Sequence, residues 1–527
     1  MYDLLIKNGR VLDGTGSPWF RADVAVVGDR IVAMGLLADR EASRVIDATG
    51  HFVTPGFIEE HSHADVTFLV DPLAQSCIRQ GMTTLVVGNC GHAAAPVSMD
   101  MVDAYRAGAA IYEVDGYDWT WETMGEYLDT VRRARTSVNV VALTGHLPVR
   151  HMVMGEANRP ANPDERVRMR DLVAAALANG ARGFSTGLMY QHTVFSDTDE
   201  VVEMARALAP YGWAYHTHIR DYGRHLQKAV AEAIEIAERA EVPLVVSHMY
   251  PAGKEYWGQA GACIEMLEKA RDRGLEAGFD VTPWLRGGGP FISYFPPWAR
   301  EGGMAATLNR VRDPEISGRI VSAVEAGEYY SFAFGWDDQL VFQVADPKNR
   351  PWLGRSIGEI ARERGEDPGR TAMSMVLDDQ GKFGVAPTNK CDEDVDMLIK
   401  HPMGIPVADG RSLAPVGPLA YQDRPNSYGT FARVLGRYVR ERGILTWEEA
   451  IQKLAAIPAS RVGLWDRGVL RAGMAADIVV FDPETVVEKA DYANPQEYPE
   501  GMPWVIVNGE VTVAPEGHTG ARAGKVL

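Results

Sequence analysis

Five apolar runs in this chain each lead into a side chain that a transition metal accepts as a ligand. That recurrence constrains the fold more than any other feature. Val53 to Ile58 leads to His61 and His63, and Thr83 to Gly88 leads to Cys90. Trp213-Ala214-Tyr215 leads to His216 and His218, Val245-Val246-Ser247 to His248, and Ile405 to Ala408 to Asp409. Residues two apart on a strand share a face, so His61 and His63 present both imidazoles to one side. Neutral imidazoles and a cysteine thiolate suit zinc or a similar borderline metal. Any one of these positions also reads as a packed core side chain or a solvated turn. The ordered set His-X-His, Cys, His, His, Asp at successive strand ends instead fits a metal site at the C-terminal face of a parallel barrel.

The segments between these runs support that architecture. Asn162-Pro163-Asp164-Glu165 has the N-cap, first-turn proline and acidic residue of a helix start. Met169, Leu172, Val173, Ala176 and Leu177 follow at helical spacing, and Gly180 closes the helix before Arg182-Gly183-Phe184-Ser185-Thr186. Comparable alternation through Leu244–Ser247, Cys263–Ala270 and Glu276–Asp280 predicts repeated βα units. Both ends differ from this middle. Short strand-like runs near Leu4, Val24 and Ile31 match a second set at 477–481 and 504–507, with Asn508-Gly509 as a hairpin turn. The expected fold is therefore α/β: a (β/α)8 barrel over 55–462, with a small β-sandwich built from 1–54 and 463–527. Gly, Pro and aromatics break the rhythm from about 287 to 349, which reads as an insertion at the barrel mouth.

The chain has 527 residues, enough for one large and one small domain. A formal net charge of −18 argues against a nucleic-acid partner, since phosphate binding needs a basic surface. Four scattered cysteines form no disulfide framework. No long apolar run and no signal-like N-terminus are present, so a cytoplasmic protein without membrane contact is expected. The oligomeric state is left open, a homo-oligomer included.

Taken together these motifs resemble the amidohydrolase superfamily, and within it the D-aminoacylase (N-acyl-D-amino-acid deacylase) group. The resemblance rests on Gly56-Phe57-Ile58 with His61 and His63, Gln80-Gly81-Met82-Thr83-Thr84, and Gly88-Asn89-Cys90-Gly91. It continues through Gly183 to Leu188 with Tyr190, Thr217-His218-Ile219-Arg220, Ser247-His248, Asp409-Gly410 and Tyr428-Gly429-Thr430-Phe431, and spans the chain. It implies that Cys90, His218 and His248 hold a tightly bound zinc, and that His61, His63 and Asp409 face a second, weaker metal position. Asp409 is then the general base and acid for a metal-activated water that cuts the amide bond of a small N-acyl substrate. His216 falls behind the ligands, and Ser185 serves the backbone turn rather than acting as a nucleophile.

Three positions depart from the group. Its substrate-carboxylate lysine, two residues after the last histidine ligand, is Tyr250 here. A tyrosine after proline is Trp284, and the arginine of a His-Pro-Arg element is Asn426 in Arg424-Pro425-Asn426. Two explanations follow. In the preferred one the substrate is an uncharged N-acyl amine, with Tyr250 and Trp284 lining a pocket for an apolar or aromatic group, Tyr190 and Asn426 among the substrate-binding residues, and Pro296-Pro297-Trp298 helping to close the site. In the other, Lys254, Arg286 or Arg424 restores the charge and the chain remains an N-acyl-D-amino-acid deacylase. A cyclic-amide hydrolase, a thiol hydrolase using Cys90 and a non-catalytic scaffold on this fold are the rival readings.

Overall fold

The computed structural model describes the whole chain except residues 38–39, 109–116, 156, 191, 330–334 and 421–423. Strands from both ends of the chain meet in one nine-stranded sheet. Phe52–Pro55 pairs antiparallel with Ile478–Phe481, Val53 opposite Val480, and this pairing joins the two termini. One face of that sheet buries Leu4, Ile6, Val24, Ile31, Val480 and Ile506. Asn508 and Gly509 both have positive φ, 47° and 83°, which turns Val507 back against Glu510 as the dipeptide predicts.

The middle of the chain supplies parallel strands. Phe57–Glu59, Met82–Val87 and Asn139–Ala142 form a three-stranded sheet. Thr144–Gly145, Phe184–Gly187, Tyr215–His218, Leu244–Val246, Ala277–Val281 and Gly404–Pro406 form a six-stranded one. Their residues are buried throughout, as expected when helices cover one face and side chains fill the other. The ladder is not one continuous closed barrel. It is interrupted at Leu143, between Asn139–Ala142 and Thr144–Gly145, and an isolated parallel bridge from Ser62 to Gly410 links the outer strands.

The helix expected after Asn162 spans Pro163–Ala178 and carries the full capping box. Asn162 Oδ1 accepts from the Glu165 N–H at 3.0 Å while Glu165 Oε2 accepts from the Asn162 N–H at 2.8 Å. Met169, Val173, Ala176 and Leu177 are its buried stripe. Beyond the strand Ala277–Val281 the chain builds a second apolar centre. Phe291, Phe295, Trp352, Ile357, Met375 and Phe383 pack together, beside a small sheet of Gly289–Pro290, Gly384–Ala386 and Leu340–Gln343. All four cysteines are free thiols, and among the described residues no helix is long and apolar enough to cross a membrane.

Candidate metal centre

The side chains singled out at the strand ends converge. His61 Nε2 lies 3.1 Å from Cys90 Sγ, which in turn lies 3.2 Å from His248 Nε2. His218 Nδ1 is 3.1 Å from His248 Nε2. Asp409 Oδ1 sits 3.2 Å from His63 Nε2 and 3.6 Å from His61 Nε2. Two triads, His61–His63–Cys90 and Cys90–His218–His248, each bring three ligand atoms within 4.8 Å of one another. Cys90 belongs to both, so the two groups of candidate ligands meet at a single sulfur.

The backbone is bent to achieve this. Cys90, His248 and Asp409 have φ of 55°, 33° and 50°, a region that non-glycine residues enter at a cost of about 1–3 kcal/mol each. Local contacts hold them there. Gly91 follows Cys90 at φ 73°, where a Cβ would fall 2.6 Å from the Gly187 nitrogen. Ser185 Oγ accepts from the Gly91 N–H at 2.9 Å and donates to the Gly88 carbonyl at 2.5 Å, which pins both ends of the loop carrying Cys90. The Glu59 carboxylate accepts from the N–H groups of His61 and Ala408, at 2.8 and 2.7 Å, and so ties the first ligand strand to the last. Asn426 donates to the carbonyls of Ala408 and Asp409, at 2.8 and 2.9 Å, and fixes the aspartate turn.

Electrostatics favour a bound cation. Burial opposes ionisation of Cys90, but the His61 and His248 rings outweigh it and hold the thiol well below its ordinary range. Thiolate is the form a metal binds. Asp409 is likewise held down to about 2 against burial, chiefly by its hydrogen bond from His63. His218 Nε2, His248 Nδ1 and His63 Nδ1 are buried without a hydrogen-bond partner among the described residues. For His248 and His63 these are the nitrogens turned away from the cluster; those inside it, His61 Nε2 and His248 Nε2 beside Cys90 Sγ and His63 Nε2 beside Asp409, bring lone-pair donors and anions within 3.2 Å of one another, and an ion among imidazoles and a thiolate accounts for that crowding. The donor set fits zinc.

The remaining residues are placed as follows. Tyr190 hydroxyl is 2.9 Å from His218 Nδ1, and the Tyr250 ring stacks on Tyr222, 6.4 Å from the His248 ring centre. Trp284 is buried and donates to Thr430 Oγ1 at 2.8 Å. Arg286 donates to the carbonyls of Asp338 and Ala386, and exposed Lys254 pairs with Asp338 at 3.1 Å. Arg424 is half-buried with its guanidinium 5.2 Å from the Phe342 ring centre. His216 is buried with neither ring nitrogen partnered among the described residues, and burial pushes it down to about 3.

Two residues at the site escaped the sequence reading. Asp280 lies one residue before the end of the strand Ala277–Val281, near the strand end as the candidate ligands are, and that position was the available signal. Its Oδ2 lies 3.1 Å from His61 Nδ1, while Oδ1 accepts from the His248 N–H at 2.5 Å. Lys390 has no local motif at all. Its ammonium lies 4.3 Å from the Tyr250 ring centre.

Two parallel sheets with a histidine–cysteine–aspartate cluster at their C-terminal ends define a metal-dependent hydrolase framework. A family model described as "Amidohydrolase family" matches residues 44–333 and 355–513. The chain belongs to the amidohydrolase family, in its D-aminoacylase group. It is 32% identical to the D-aminoacylase of Alcaligenes xylosoxydans xylosoxydans, over 100% of this chain and 97% of that one. It is also similar to the N-acyl-D-glutamate deacylase of Bordetella bronchiseptica, solved with zinc and a phosphonate mimic of the tetrahedral intermediate. That likeness has a TM-score of 0.83 and 30% identity, covering 100% of this chain and 99% of that one. A D-aminoacylase structure with a binuclear metal centre gives 0.82 and 31%, with both chains fully covered.

Proposed function

We propose that this chain is a zinc-dependent hydrolase that releases the acyl group of a small N-acyl substrate by cutting its amide bond. The observation that carries this reading is the pair of ligand clusters sharing Cys90, with Asp409 against His63. Cys90, His218 and His248 would hold the tightly bound zinc, and His61, His63 and Asp409 would face a second metal position. The activities of the D-aminoacylase and N-acyl-D-glutamate deacylase relatives, and the zinc in the latter's structure, support it.

When bound, the metal supplies Lewis-acid polarisation of the carbonyl and acidification of water. Asp409 is an ionised carboxylate at the cluster, placed to take the proton of the attacking water and return it to the leaving nitrogen. His63 holds that carboxylate in place, and Tyr190 orients the His218 ring. Ser185 is spent on two backbone bonds, and buried Cys90 sits among three imidazoles. Neither is placed to act as a free nucleophile.

The architecture belongs to the same reading. The two parallel sheets together make a (β/α)8 barrel over 55–462, and the terminal sheet a small sandwich from 1–54 and 463–527. The insertion extends past 349 to the end of its own core at Val385.

Asp409→Asn tests the chemistry. The variant should keep its zinc while turnover of N-acyl substrates falls about 100- to 10,000-fold, the usual worth of a general acid–base group. Turnover within a few-fold of wild type would remove Asp409 from the mechanism.

A further inference from the structure

A cavity of about 1440 Å³ lies on the face of the parallel sheets opposite the metal cluster. The N-terminal ends of the strands line it, at Ala214, Leu244, Ala277 and Met403, together with residues 463–467. The metal cluster sits at the other end of these strands, so the hydrolysis makes no use of this space. Arg182 and Trp213 meet on its wall at Gly463. A Cβ added to Gly463 would lie 3.7 Å from Arg182 Nη1 and 3.5 Å from Trp213 Nε1. The Gly463 carbonyl accepts from Arg182 Nη1 at 3.2 Å. The Trp213 ring is held by stacking on Tyr211, with ring centres 4.4 Å apart and planes 10° from parallel.

Both side chains have donors to spare. A guanidinium carries five N–H donors, and the Gly463 carbonyl takes one of them. The Trp213 indole lines the cavity, and its N–H meets no acceptor among the described residues. Arg182 is half-buried, and among the described residues no carboxylate lies within ion-pair distance of it. Asp466 is the one charge set against its burial, and Arg30 at 2.8 Å and Arg467 at 3.2 Å already share that carboxylate. Lys453 deepens the shortage of negative charge on this face. It is 4% exposed, and its Nζ is spent on the carbonyls of His401 and Gly404, at 2.5 and 2.6 Å. The remaining carboxylates of the cavity, Glu268, Asp272 and Glu276, are exposed, where water and salt screen them. A half-buried guanidinium without a counter-ion costs stability, and the single bond to Gly463 could be made by a neutral side chain.

We propose that this cavity is a second ligand site, which binds a small aromatic anion with its charged group on Arg182 and the Trp213 N–H and its ring against Trp465. Trp465 lines the cavity two residues after Gly463 and is 79% exposed, a surface that an aromatic ring covers by stacking. A carboxylate or a phosphate monoester suits the two donors, since either offers oxygens to a guanidinium and a neighbouring N–H together. Small-molecule sites occupy roughly 300–1,000 Å³, so a one-ring anion fits here with water around it. The site is separate from the metal cluster. Arg461 stands between them, donating to Glu60, the neighbour of His61, at 3.2 Å and to the Met403 carbonyl at 2.6 Å.

The probes are phenyl phosphate, benzoate and inorganic phosphate, titrated by calorimetry into the zinc-loaded full chain, with circular dichroism and zinc content as checks on the fold. At least one aromatic probe should bind, about 3- to 10-fold more tightly than inorganic phosphate, the worth of an aromatic contact. Which of the two binds better tells a phosphate ligand from a carboxylate. Arg182→Gln should weaken that binding about 10- to 100-fold, the worth of a hydrogen bond to a charged group. Trp213→Phe keeps the ring and removes the N–H, and should cost about 3- to 10-fold. Trp465→Ala should bring the aromatic probe down to the affinity of inorganic phosphate. Absence of binding by both aromatic probes at millimolar concentration overturns the proposal. So does full affinity in a folded Arg182→Gln, which would place the anion at the zinc or elsewhere on the surface. Should Arg182→Gln fail to fold, unchanged affinity in both Trp213→Phe and Trp465→Ala overturns it equally.

Discussion

Replacing Asp280 by asparagine asks whether the metal site depends on a residue that touches no metal. The carboxylate has two duties. Oδ1 accepts from the His248 backbone N–H, and Oδ2 faces His61 Nδ1. Asparagine has one acceptor oxygen and one donor amide. If its oxygen keeps the His248 bond, its NH2 faces His61 Nδ1 and makes that nitrogen an acceptor. The ring proton then moves to Nε2, the nitrogen 3.1 Å from Cys90 that must stay unprotonated to bind a metal. If the amide is turned over, two N–H donors meet at the His248 backbone instead. Either way one duty is lost, in a site where both groups are buried. Losing a ligand's hydrogen-bond partner costs about 10- to 100-fold in metal affinity or activity. The assay is a competition titration of zinc against a chelator of known affinity, with N-acyl substrate turnover measured at each occupancy. Wild-type zinc affinity and turnover in Asp280→Asn would refute the claim that Asp280 sets the His61 tautomer.

Two further outcomes are expected. Ser185→Ala should lower turnover by no more than about tenfold, since it removes a loop contact and not a nucleophile, whose loss costs about a millionfold in a serine hydrolase. A loss on that scale at full zinc content would reinstate Ser185 as a nucleophile. Burial holds Lys390 near 7 against an ordinary 10.5, so between those values the unfolded chain binds the extra proton. Its contribution therefore makes the ligand-free protein more stable as pH rises from about 7 to 10.5. Lys390→Met should be more stable than wild type at pH 6, with the gap narrowing by pH 10 in denaturant titrations. A gap independent of pH would mean that the lysine is not held near 7.

The side chains of the proposed ligand set were legible in the sequence because each is local. An apolar strand, a turn and a ligand-type side chain sit within ten residues, and the fold only has to bring the strand ends together. Asp280 has the same local form, but its duty exists only through His61 and His248, which other strands supply. Lys390 has no strand of its own to end, and its place beside Tyr250, 140 positions away, comes from the fold rather than from spacing. The longer insertion proposed above was hard to read from the sequence for a related reason. The helices Ile357–Arg364 and Pro368–Asp378 are capped and amphipathic like those of a βα unit, Ser356 and Glu359 forming a capping box. Only packing shows that Ile357, Met375 and Val376 face the second apolar centre and not the main one.

The central claim is that a metal held by this cluster carries the hydrolysis, and metal removal and return tests it most directly. Dialysis against a chelator should abolish amine release from N-acetyl-leucine, and one equivalent of zinc per chain should restore it, while Cys90→Ala should not regain it. Hydrolysis that continues at full rate in metal-free protein would contradict the account.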